Sequence, residues 1–327
     1  MLTKLKSLTK SEEKKRLLSN FFSLSVLQGA NYILPLLTLP YLVRVLGVEY
    51  FGLLAFATAV IAYFQILTDY GFNLTATREI SIHRDDKAKL VEIFSAVMII
   101  KFTLMLLSFV LLAALVFSFE KFRADWLVYF LTFGMVIGQV LFPVWFFQGM
   151  ERMKYITYLN ILSKTIFTAA IFIFVQNQSD YYLVPLITSL GFLIAGVWSL
   201  VLIKKEFGIG FRFQEIATVK RHLIGGWDVF LSRIYVNIYT TTNLVLLGLL
   251  TNNTVVGYYS VAEKIVSAIS GLFGPVNQVV YPFFAKVYTE SKARFFILFK
   301  KFNILQLLAS MLLTIVAFLL GKLGITL

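Results

Sequence analysis

Long apolar segments recur along almost the whole chain, and they constrain its fold more than any other feature. About 20 apolar residues in a helix cross the ~30 Å hydrocarbon core of a bilayer, because each residue rises about 1.5 Å. By this measure the sequence predicts nine spans, at residues 21–45, 51–70, 91–118, 126–147, 156–175, 182–203, 223–250, 255–284 and 302–320. The predicted fold class is therefore an all-α polytopic membrane protein.

The composition excludes several other classes of protein. Only 14% of the 327 residues are charged and 59% are hydrophobic, whereas soluble domains carry about 25% charged residues. The chain has no cysteine and two histidines, His83 and His222, which we place in polar loops. Thiolate chemistry is thereby excluded, and a histidine metal cage is not expected. The longest predicted loop, 204–222, is too short for a catalytic domain, so we predict no enzyme, no metal and no cofactor.

Basic residues are distributed unevenly between the two sides of the predicted bundle. With a cytoplasmic N-terminus, 22 of the 30 Lys and Arg residues lie on the inner side, 4 on the outer side and 4 within spans. This bias predicts a cytoplasmic N-terminus by the positive-inside rule. The net charge of +13 is therefore a topology signal and not a sign of nucleic-acid binding. Residues 1–20 are predicted to be a basic cytoplasmic segment and not a cleaved signal peptide.

A weak internal repeat relates the beginning of the chain to its end. A shift of 205 residues aligns Gly52 with Gly257 and Ala57 with Ala262, and it moves the first three spans close to the last three. Because an even number of spans separates the copies, they are predicted to be parallel repeats. The predicted domains are a first six-helix half, a cytoplasmic linker and a partial second half of three helices, at 21–203, 204–222 and 223–327. A complete second copy would end near residue 408, so we expect a C-terminally truncated chain; a natural nine-span protein is the alternative.

Two glycines on one predicted span favour close packing of helices. Gly134 and Gly138 are four residues apart and therefore lie on one face of the helix. Without side chains, they allow a neighbouring helix to approach closely. We expect this face to pack against another span.

Ionisable residues inside the spans are the candidate functional residues. A Lys or Arg near the bilayer centre costs about 2.5–3.5 kcal/mol on insertion scales, so it requires water, a counter-charge or an anionic ligand. The candidates are Lys101, Lys164, Arg233 and Lys264, with the acids Asp69, Asp228 and Glu263 nearby in sequence. Three interpretations stay open: salt bridges that hold the bundle together, a wet cationic cavity that binds an anionic group, and snorkelling of the side chains to the interface.

Three sequence stretches resemble one family of membrane transporters. They are QGANYILPLLTLPYLVR at 28–44, YGFNLTAT at 70–77 and PVWFFQG at 143–149. These stretches resemble Wzx-type O-antigen flippases, in the polysaccharide-transporter branch of the MOP/MATE-like exporter superfamily. The similarity extends through all 327 residues. Members of this family have twelve helices in two parallel six-helix halves, so the resemblance implies a MATE-like fold whose second half is incomplete.

The resemblance also implies a function and a location. It implies a flippase that moves undecaprenyl-pyrophosphate-linked oligosaccharide repeat units across the bacterial cytoplasmic (inner) membrane by alternating access. Its partners would be this lipid-linked glycan, the lipid bilayer and other membrane proteins of polysaccharide assembly. The expected head-group ligands are Arg44, Lys101, Lys164, Arg233 and Lys264, and a second role, ion coupling, is expected for Asp69, Asp228 or Glu263.

Two other functions are consistent with the same sequence. One is a small-molecule exporter of the same superfamily. The other is an integral membrane polymerase or ligase that acts on the lipid-linked glycan. A polymerase or ligase predicts a long outer loop, whereas the outer loops predicted here are short, at residues 46–50, 119–125, 176–181 and 251–254.

Overall fold

Helices form almost the whole chain in the computed structural model, and residues 2–325 contain no β-strand. The structure describes the backbone of residues 2–325 and the side chains of residues 26–238, 241–268, 270–271, 288, 291–312 and 314–315. The predicted all-α class is confirmed. The basic side chains of the predicted segment 1–20 lie outside the described residues.

The helices follow one another with short connections. In chain order they are α1 (Leu2–Asp69), α2 (Phe72–Ile82), α3 (Lys87–Ser118), α4 (Glu120–Arg123), α5 (Trp126–Leu141), α6 (Val144–Gly149), α7 (Met153–Phe174), α8 (Leu183–Leu202), α9 (Ile216–Leu250), α10 (Asn253–Glu290) and α11 (Lys292–Ile325). A 3-10 turn, Gln178–Tyr182, precedes α8, and a π-helical turn, Ile203–Phe207, follows it.

Helix α1 is a hairpin of two limbs that meet at Gly47. Its 68 residues would measure about 100 Å if straight, three times the hydrocarbon core. Gly47 breaks the helix with φ 77° and ψ 164°, in a region that favours glycine. The first limb, residues 2–46, contacts α7 through Asn31 and Tyr41, and the second limb, residues 48–69, runs beside α5 in the direction opposite to the first limb. The predicted loop at 46–50 is therefore reduced to one non-helical residue.

The connections define two ends of the bundle. The Gly47 end contains residues 47, 119–125, 175–182 and 251–252, which contact one another through pairs such as Tyr50 with Tyr181 and Lys121 with Thr251. The Asp86 end contains residues 70–71, 83–86, 142–152 and 203–215, where Arg84 donates to the carbonyl of Gly149. Asp86 begins α3, since its carboxylate accepts the backbone N–H groups of Ala88 and Lys89 at 3.0 Å each.

Helices α5 and α8 pack with their backbones close together. A methyl group on Gly134 would lie 2.7 Å from the Cβ of Ser189, and one on Gly138 would lie 2.5 Å from the carbonyl carbon of Phe192. The Ser189 hydroxyl donates to the carbonyl of Leu131 at 2.6 Å. The predicted close packing at these two glycines is confirmed.

An aromatic core fills the Asp86 end. Trp145, Phe146 and Phe147 on α6 are fully buried, and Phe94 of α3 lies against the first two of them. Tyr70 extends this core to α9, where its ring stacks on Phe230 with 4.6 Å between the ring centroids. The core therefore joins α2, α3 and α6 to the first half of α9.

The chain divides into two compact units, residues 1–260 and 261–327. The first unit contains α1 to α9 and the first residues of α10. The second contains the rest of α10 and α11, whose described side chains are mostly exposed. The hairpin, the packing of α5 on α8 and the aromatic core all belong to the first unit.

Six segments of the described residues are long and apolar enough to cross a membrane: Val26–Ile82, Lys87–Ser118, Trp126–Gly149, Met153–Phe174, Gln178–Phe207 and Lys292–Leu312. The first contains residues 26–45 of the first predicted span and the whole of the second. Helices α9 and α10 cover the seventh and eighth predicted spans, and their described residues alone contain no apolar window of that length, so nine spans stay a prediction. Helix α9 begins at Ile216, so the last part of the predicted linker 204–222 is helical and His222 is not in a loop.

Candidate functional site

Lys101 and Asp69 form an ion pair inside the bundle. The Lys101 side chain is 2% exposed and that of Asp69 is 15% exposed, and 3.9 Å separate Nζ of Lys101 from Oδ1 of Asp69. Lys101 lies on α3 and Asp69 is the last residue of α1, so the pair connects two helices. A buried cation with a carboxylate partner agrees with the interpretation as a salt bridge that holds helices together.

The break between α1 and α2 brings further groups to Asp69. Tyr70 and Gly71 both have positive φ, at 50° and 77°, and the chain turns there from α1 into α2. The turn lets the Asn73 amide donate to Oδ1 of Asp69 at 2.7 Å and the Gly71 N–H donate to its carboxylate. The positive charge of Arg233 on α9 also acts on Asp69. This group, which we name the Asp69 cluster, contains Asp69, Asn73, Lys101 and Arg233.

Lys164 on α7 has a neutral partner. Its ammonium donates to the side-chain oxygen of Asn31 in the first limb of α1. Among the described side chains, no carboxylate oxygen lies within the 4.0 Å limit of a salt bridge to Lys164. The side chain is half-buried, and Lys164 lies 11 residues after the first residue of α7 and 10 before its last, which corresponds to about 15–16 Å from each end. Lys164 is therefore a half-buried cation at mid-depth without a described counter-charge.

The other predicted residues are more exposed. Arg44, Asp228 and Arg233 are exposed, and none of them forms a salt bridge with a described side chain. Glu263 and Lys264 are neighbours on α10 in the second unit, where Glu263 is half-buried and Lys264 is exposed. The structure thus joins Asp69, Lys101 and Arg233 in one cluster and places Lys164 beside Asn31 instead. It does not bring the five predicted cations together in one group.

Two contacts of basic residues with carboxylates at the Asp86 end were not expected from the sequence. Nδ1 of His222, a residue only 7% exposed, lies 3.0 Å from Oε2 of Glu79 on α2. The preceding residue, Arg221, contacts Glu92 of α3, which also accepts from Lys89 at 2.8 Å. Helix α9 is thereby attached to both α2 and α3. The basic residues before span seven were the available signal, but their partners are about 130 residues away in sequence.

An apolar cavity of about 380 Å³ lies nearer the Gly47 end. Residues of α1, α3 and α9 and of the segment around α4 line it: Val60, Tyr63, Phe64, Leu115, Phe119, Phe122, Val245 and Leu249. Its one polar side chain is Tyr63, whose hydroxyl is 2.7 Å from that of Thr242. None of the predicted cations lines this cavity.

Metal binding has no support in the described part of the chain, where no three His, Asp or Glu side chains are grouped as ligands. The described polar groups inside the bundle are amides, hydroxyls, lysines and carboxylates. Such groups bind anionic or hydroxyl-rich ligands by hydrogen bonds and charge.

Comparisons with known proteins agree with this chemistry. The family model described as "Polysaccharide biosynthesis protein" matches residues 17–288. Two similar proteins are both named "Putative O-antigen transporter". The protein from Escherichia coli (strain K12) is 35% identical over 288 residues, which are 88% of this chain and 69% of the relative. The protein from Shigella dysenteriae is 30% identical over 273 residues, which are 82% and 67% of the two chains. No solved structure matches the chain.

Proposed function

Because the chain belongs to the polysaccharide biosynthesis protein family, we propose that it is a flippase for lipid-linked polysaccharide repeat units. The substrate would be an O-antigen repeat unit on undecaprenyl pyrophosphate. The names of the two relatives and the apolar helices support a multi-pass protein of the bacterial inner membrane with this role. A transporter moves its substrate without chemical change, so no catalytic residue is assigned.

The physical task explains why a protein is needed. A sugar chain loses its hydrogen bonds to water when it enters hydrocarbon, and a pyrophosphate adds unpaired negative charge. Both costs fall if polar and cationic groups inside the bundle replace water around the head group. The lipid tail stays in the bilayer throughout.

The environment of Lys164 is the structural observation that supports the proposal. Its charge lies at mid-depth and meets only the neutral amide oxygen of Asn31 among the described side chains. Lys101, in contrast, already has Asp69 as its counter-charge. An anionic head group would supply the charge that Lys164 lacks, so we assign Lys164 the first contact with the pyrophosphate. Arg233 and Arg44 are further head-group ligands in this proposal, and Lys264 is a candidate in the second unit.

The proposal includes a direction and a general mechanism. With the N-terminus in the cytoplasm, the Asp86 end faces the cytoplasm and the Gly47 end faces the periplasm. Two parallel halves would then expose a central site to each side in turn. The uneven distribution of basic residues supports this orientation.

The substrate role of Lys164 can be tested by complementation. The chain is expressed in a strain that lacks its own O-antigen transporter, and O-antigen on the cell surface is measured by gel electrophoresis. We expect the wild-type chain to restore O-antigen and Lys164→Gln to lower it by about tenfold, since a charge-assisted hydrogen bond contributes about 1.5–3 kcal/mol. Lys154→Gln is the matched control, because Lys154 is an exposed lysine on the same helix.

The possible outcomes test the flippase function and the role of Lys164 independently. A wild-type chain that reaches the membrane and restores no O-antigen would contradict the flippase proposal. Equal O-antigen with Lys164→Gln and Lys154→Gln would contradict only the role of Lys164. Restored drug resistance without restored O-antigen would favour the small-molecule exporter.

Ion coupling is a separate part of the proposal. Of the three acids considered, Asp69 contacts a buried cation, and Asp228 and Glu263 are further candidates. Transport in vesicles that does not respond to proton or sodium gradients would exclude all three as coupling residues. A response that Asp69→Asn removes would assign the role to Asp69.

A further inference from the structure

The linker that follows α8 carries apolar side chains on its surface. Phe213 is 90% exposed and Ile216 is 85% exposed, and the ring centroids of Phe211 and Phe213 are 5.2 Å apart. The linker begins directly after Gln178–Phe207, a segment that is long and apolar enough to cross a membrane. We name Phe211, Phe213 and Ile216 the linker patch.

Contacts with the bundle hold the linker in place. The backbone N–H of Arg212 donates to the hydroxyl of Ser95 on α3 at 3.0 Å, and the side chain of Ile209 is buried in the aromatic core. Within the linker, the side-chain amide of Gln214 donates to the carbonyl of Arg212 at 3.0 Å. The exposure of the linker patch is therefore a feature of a segment with defined contacts.

The hydrogen bond to Ser95 indicates the depth at which the linker lies. Glu92 is the last charged residue of α3 before Lys101, and it pairs with Lys89 and Arg221 at the Asp86 end. Ser95 lies three residues further along α3, which is about 4.5 Å closer to the middle of the helix. The linker therefore folds back from the end of α8 to the level at which the apolar part of α3 begins.

Positive charge surrounds the linker patch. Within residues 204–220, four exposed basic residues stand against two exposed acidic ones: Lys204, Lys205, Arg212 and Lys220 against Glu206 and Glu215. Lys87 adds a further cation, since its Nζ would lie 2.7 Å from a methyl group on Gly208. Exposed aromatic and aliphatic side chains beside Lys and Arg are typical of segments that lie in the interface of a bilayer. Anionic lipid head groups attract such basic residues.

We propose that the linker patch lies in the interfacial region of the bilayer at the Asp86 end and binds anionic phospholipids there. The apolar side chains of the patch enter the boundary between head groups and acyl chains, and the surrounding Lys and Arg side chains contact the lipid phosphates. In the orientation proposed above, these lipids belong to the cytoplasmic leaflet. The proposal goes beyond the transport function and does not depend on it.

Charge favours a lipid surface over a second copy of the chain as the partner of the patch. In a symmetric contact between two copies, the same surface patch lies on both sides of the interface. The basic residues around one patch would then face those around the other, and like charges in contact oppose association. An anionic lipid surface supplies the opposite charge together with an apolar layer.

Spin labels can measure the depth of the patch, because the chain has no cysteine of its own. Phe213→Cys and Ile216→Cys are labelled separately in the full chain, which is reconstituted into vesicles of phosphatidylcholine with or without phosphatidylglycerol. Collisions of each label with oxygen, which concentrates in the bilayer, are compared with collisions with a water-soluble nickel chelate. The matched controls are Leu106→Cys, an exposed apolar position on α3, and Asp85→Cys, an exposed position in the loop before α3.

We expect both patch labels to collide more with oxygen than with the chelate, as the label at Leu106 should, and the label at Asp85 to show the reverse. Phosphatidylglycerol should shift the patch labels further towards oxygen, because the basic residues draw the linker to an anionic surface. This shift should be lost when four basic residues are replaced together, in the variant Lys204→Gln, Lys205→Gln, Arg212→Gln and Lys220→Gln.

The spectra can contradict the proposal in three ways. Patch labels as accessible to the chelate as the label at Asp85 would overturn it. Dipolar broadening between patch labels would overturn it in favour of a contact between two copies. The absence of a shift with phosphatidylglycerol, or a shift that survives the four substitutions, would overturn the binding of anionic lipids. Failure of the wild-type chain to restore O-antigen would contradict only the flippase proposal, since these spectra do not depend on transport.

Discussion

Lys101 and Lys164 show that two cations within the bundle have different environments. Lys101 is almost fully buried and has Asp69 as a counter-charge. Lys164 is half-buried and has the amide oxygen of Asn31. Replacing one partner of a buried ion pair leaves the other charge uncompensated, which destabilises the fold. Replacing Lys164 leaves only the neutral amide of Asn31 without its hydrogen bond.

The first prediction concerns the ion pair. We expect Lys101→Met to lower the free energy of unfolding by about 3 kcal/mol, because it leaves Asp69 charged inside the bundle. The melting temperature of the purified protein in detergent measures this effect. The double variant Lys101→Met with Asp69→Asn should recover most of the loss. Lys164→Met should melt close to wild type, and an equally large loss there would show that Lys164 has a structural role.

The second prediction concerns Asp125 at the Gly47 end. Burial, with a smaller contribution from the nearby charge of Glu49, raises the pKa of Asp125 above its usual range. A raised folded-state pKa favours the protonated carboxyl, so this residue lowers stability at neutral pH and the cost disappears as the pH falls below the ordinary value of about 4.

Asp125→Asn should therefore raise the melting temperature at pH 7 and leave it unchanged at pH 4. Asn is also a suitable N-cap residue, the position that precedes the first residue of α5. Thermal unfolding at the two pH values measures the difference. A lower melting temperature at pH 7 would show that the carboxylate makes a stabilising contact.

The sequence predicted the buried charges but not their partners. Depth within a span follows from counting residues, so Lys101 and Lys164 could be located in advance. Their partners lie on other helices, and no alignment of the sequence with itself specifies which helices meet. Asn31 and Asn73 are neutral, and hydropathy does not mark them as partners of a charge. Their hydrogen bonds to Lys164 and Asp69 became visible only in the structure.

At the scale of helices, glycine spacing determines where backbones approach. We expect Gly138→Ala to lower the free energy of unfolding by about 1–3 kcal/mol, because the added methyl group meets Phe192 of α8 at 2.5 Å. Gly29→Ala is the control within α1, since nothing lies within 4 Å of its added methyl group. That variant should be neutral or more stable by about 0.5–1 kcal/mol. Similar melting temperatures for both variants would contradict the packing described for α5 and α8.

Hydropathy predicted the positions of the helices more accurately than the residues at which they begin and end. The span at 156–175 agrees with α7, and the outer breaks near 119–125 and 176–181 agree with the connections at the Gly47 end. Helix α9 extends seven residues before the predicted start at 223, because His222 and Arg221 find acidic partners on α2 and α3. Hydropathy treats such residues as loop residues, since it contains no information about salt bridges.

For the whole molecule, the proposed orientation predicts which connections are accessible from outside the cell. We expect a single cysteine at Arg123, on α4 at the Gly47 end, to react with a membrane-impermeant maleimide added to intact cells. A cysteine at Asp85, at the Asp86 end, should react only after the cells are broken. Since the chain has no native cysteine, no background reaction has to be removed. The reverse pattern would place the N-terminus in the periplasm.

The parallel repeat has weaker support in the sequence than the helices have. Two identities in a seven-residue alignment are weak evidence, and hydropathy alone cannot distinguish a repeat from any series of apolar helices. Atomic contacts add a test that sequence lacks, because equivalent residues must meet at a two-fold axis. A methyl group on Gly52 would meet the carbonyl oxygen of Asn253, and one on Gly257 would meet that of Val48, two contacts related by the same 205-residue offset.

The mutual contact of these two glycines resembles the core of a symmetric homodimer within one polypeptide. An ancestral chain that paired with itself would have made this contact twice with a single residue. Duplication and fusion of such a chain would make the two positions independent in the genome but not in space. A bulkier residue at either one would push against the other copy, so purifying selection would preserve both glycines even where the surrounding sequences diverge.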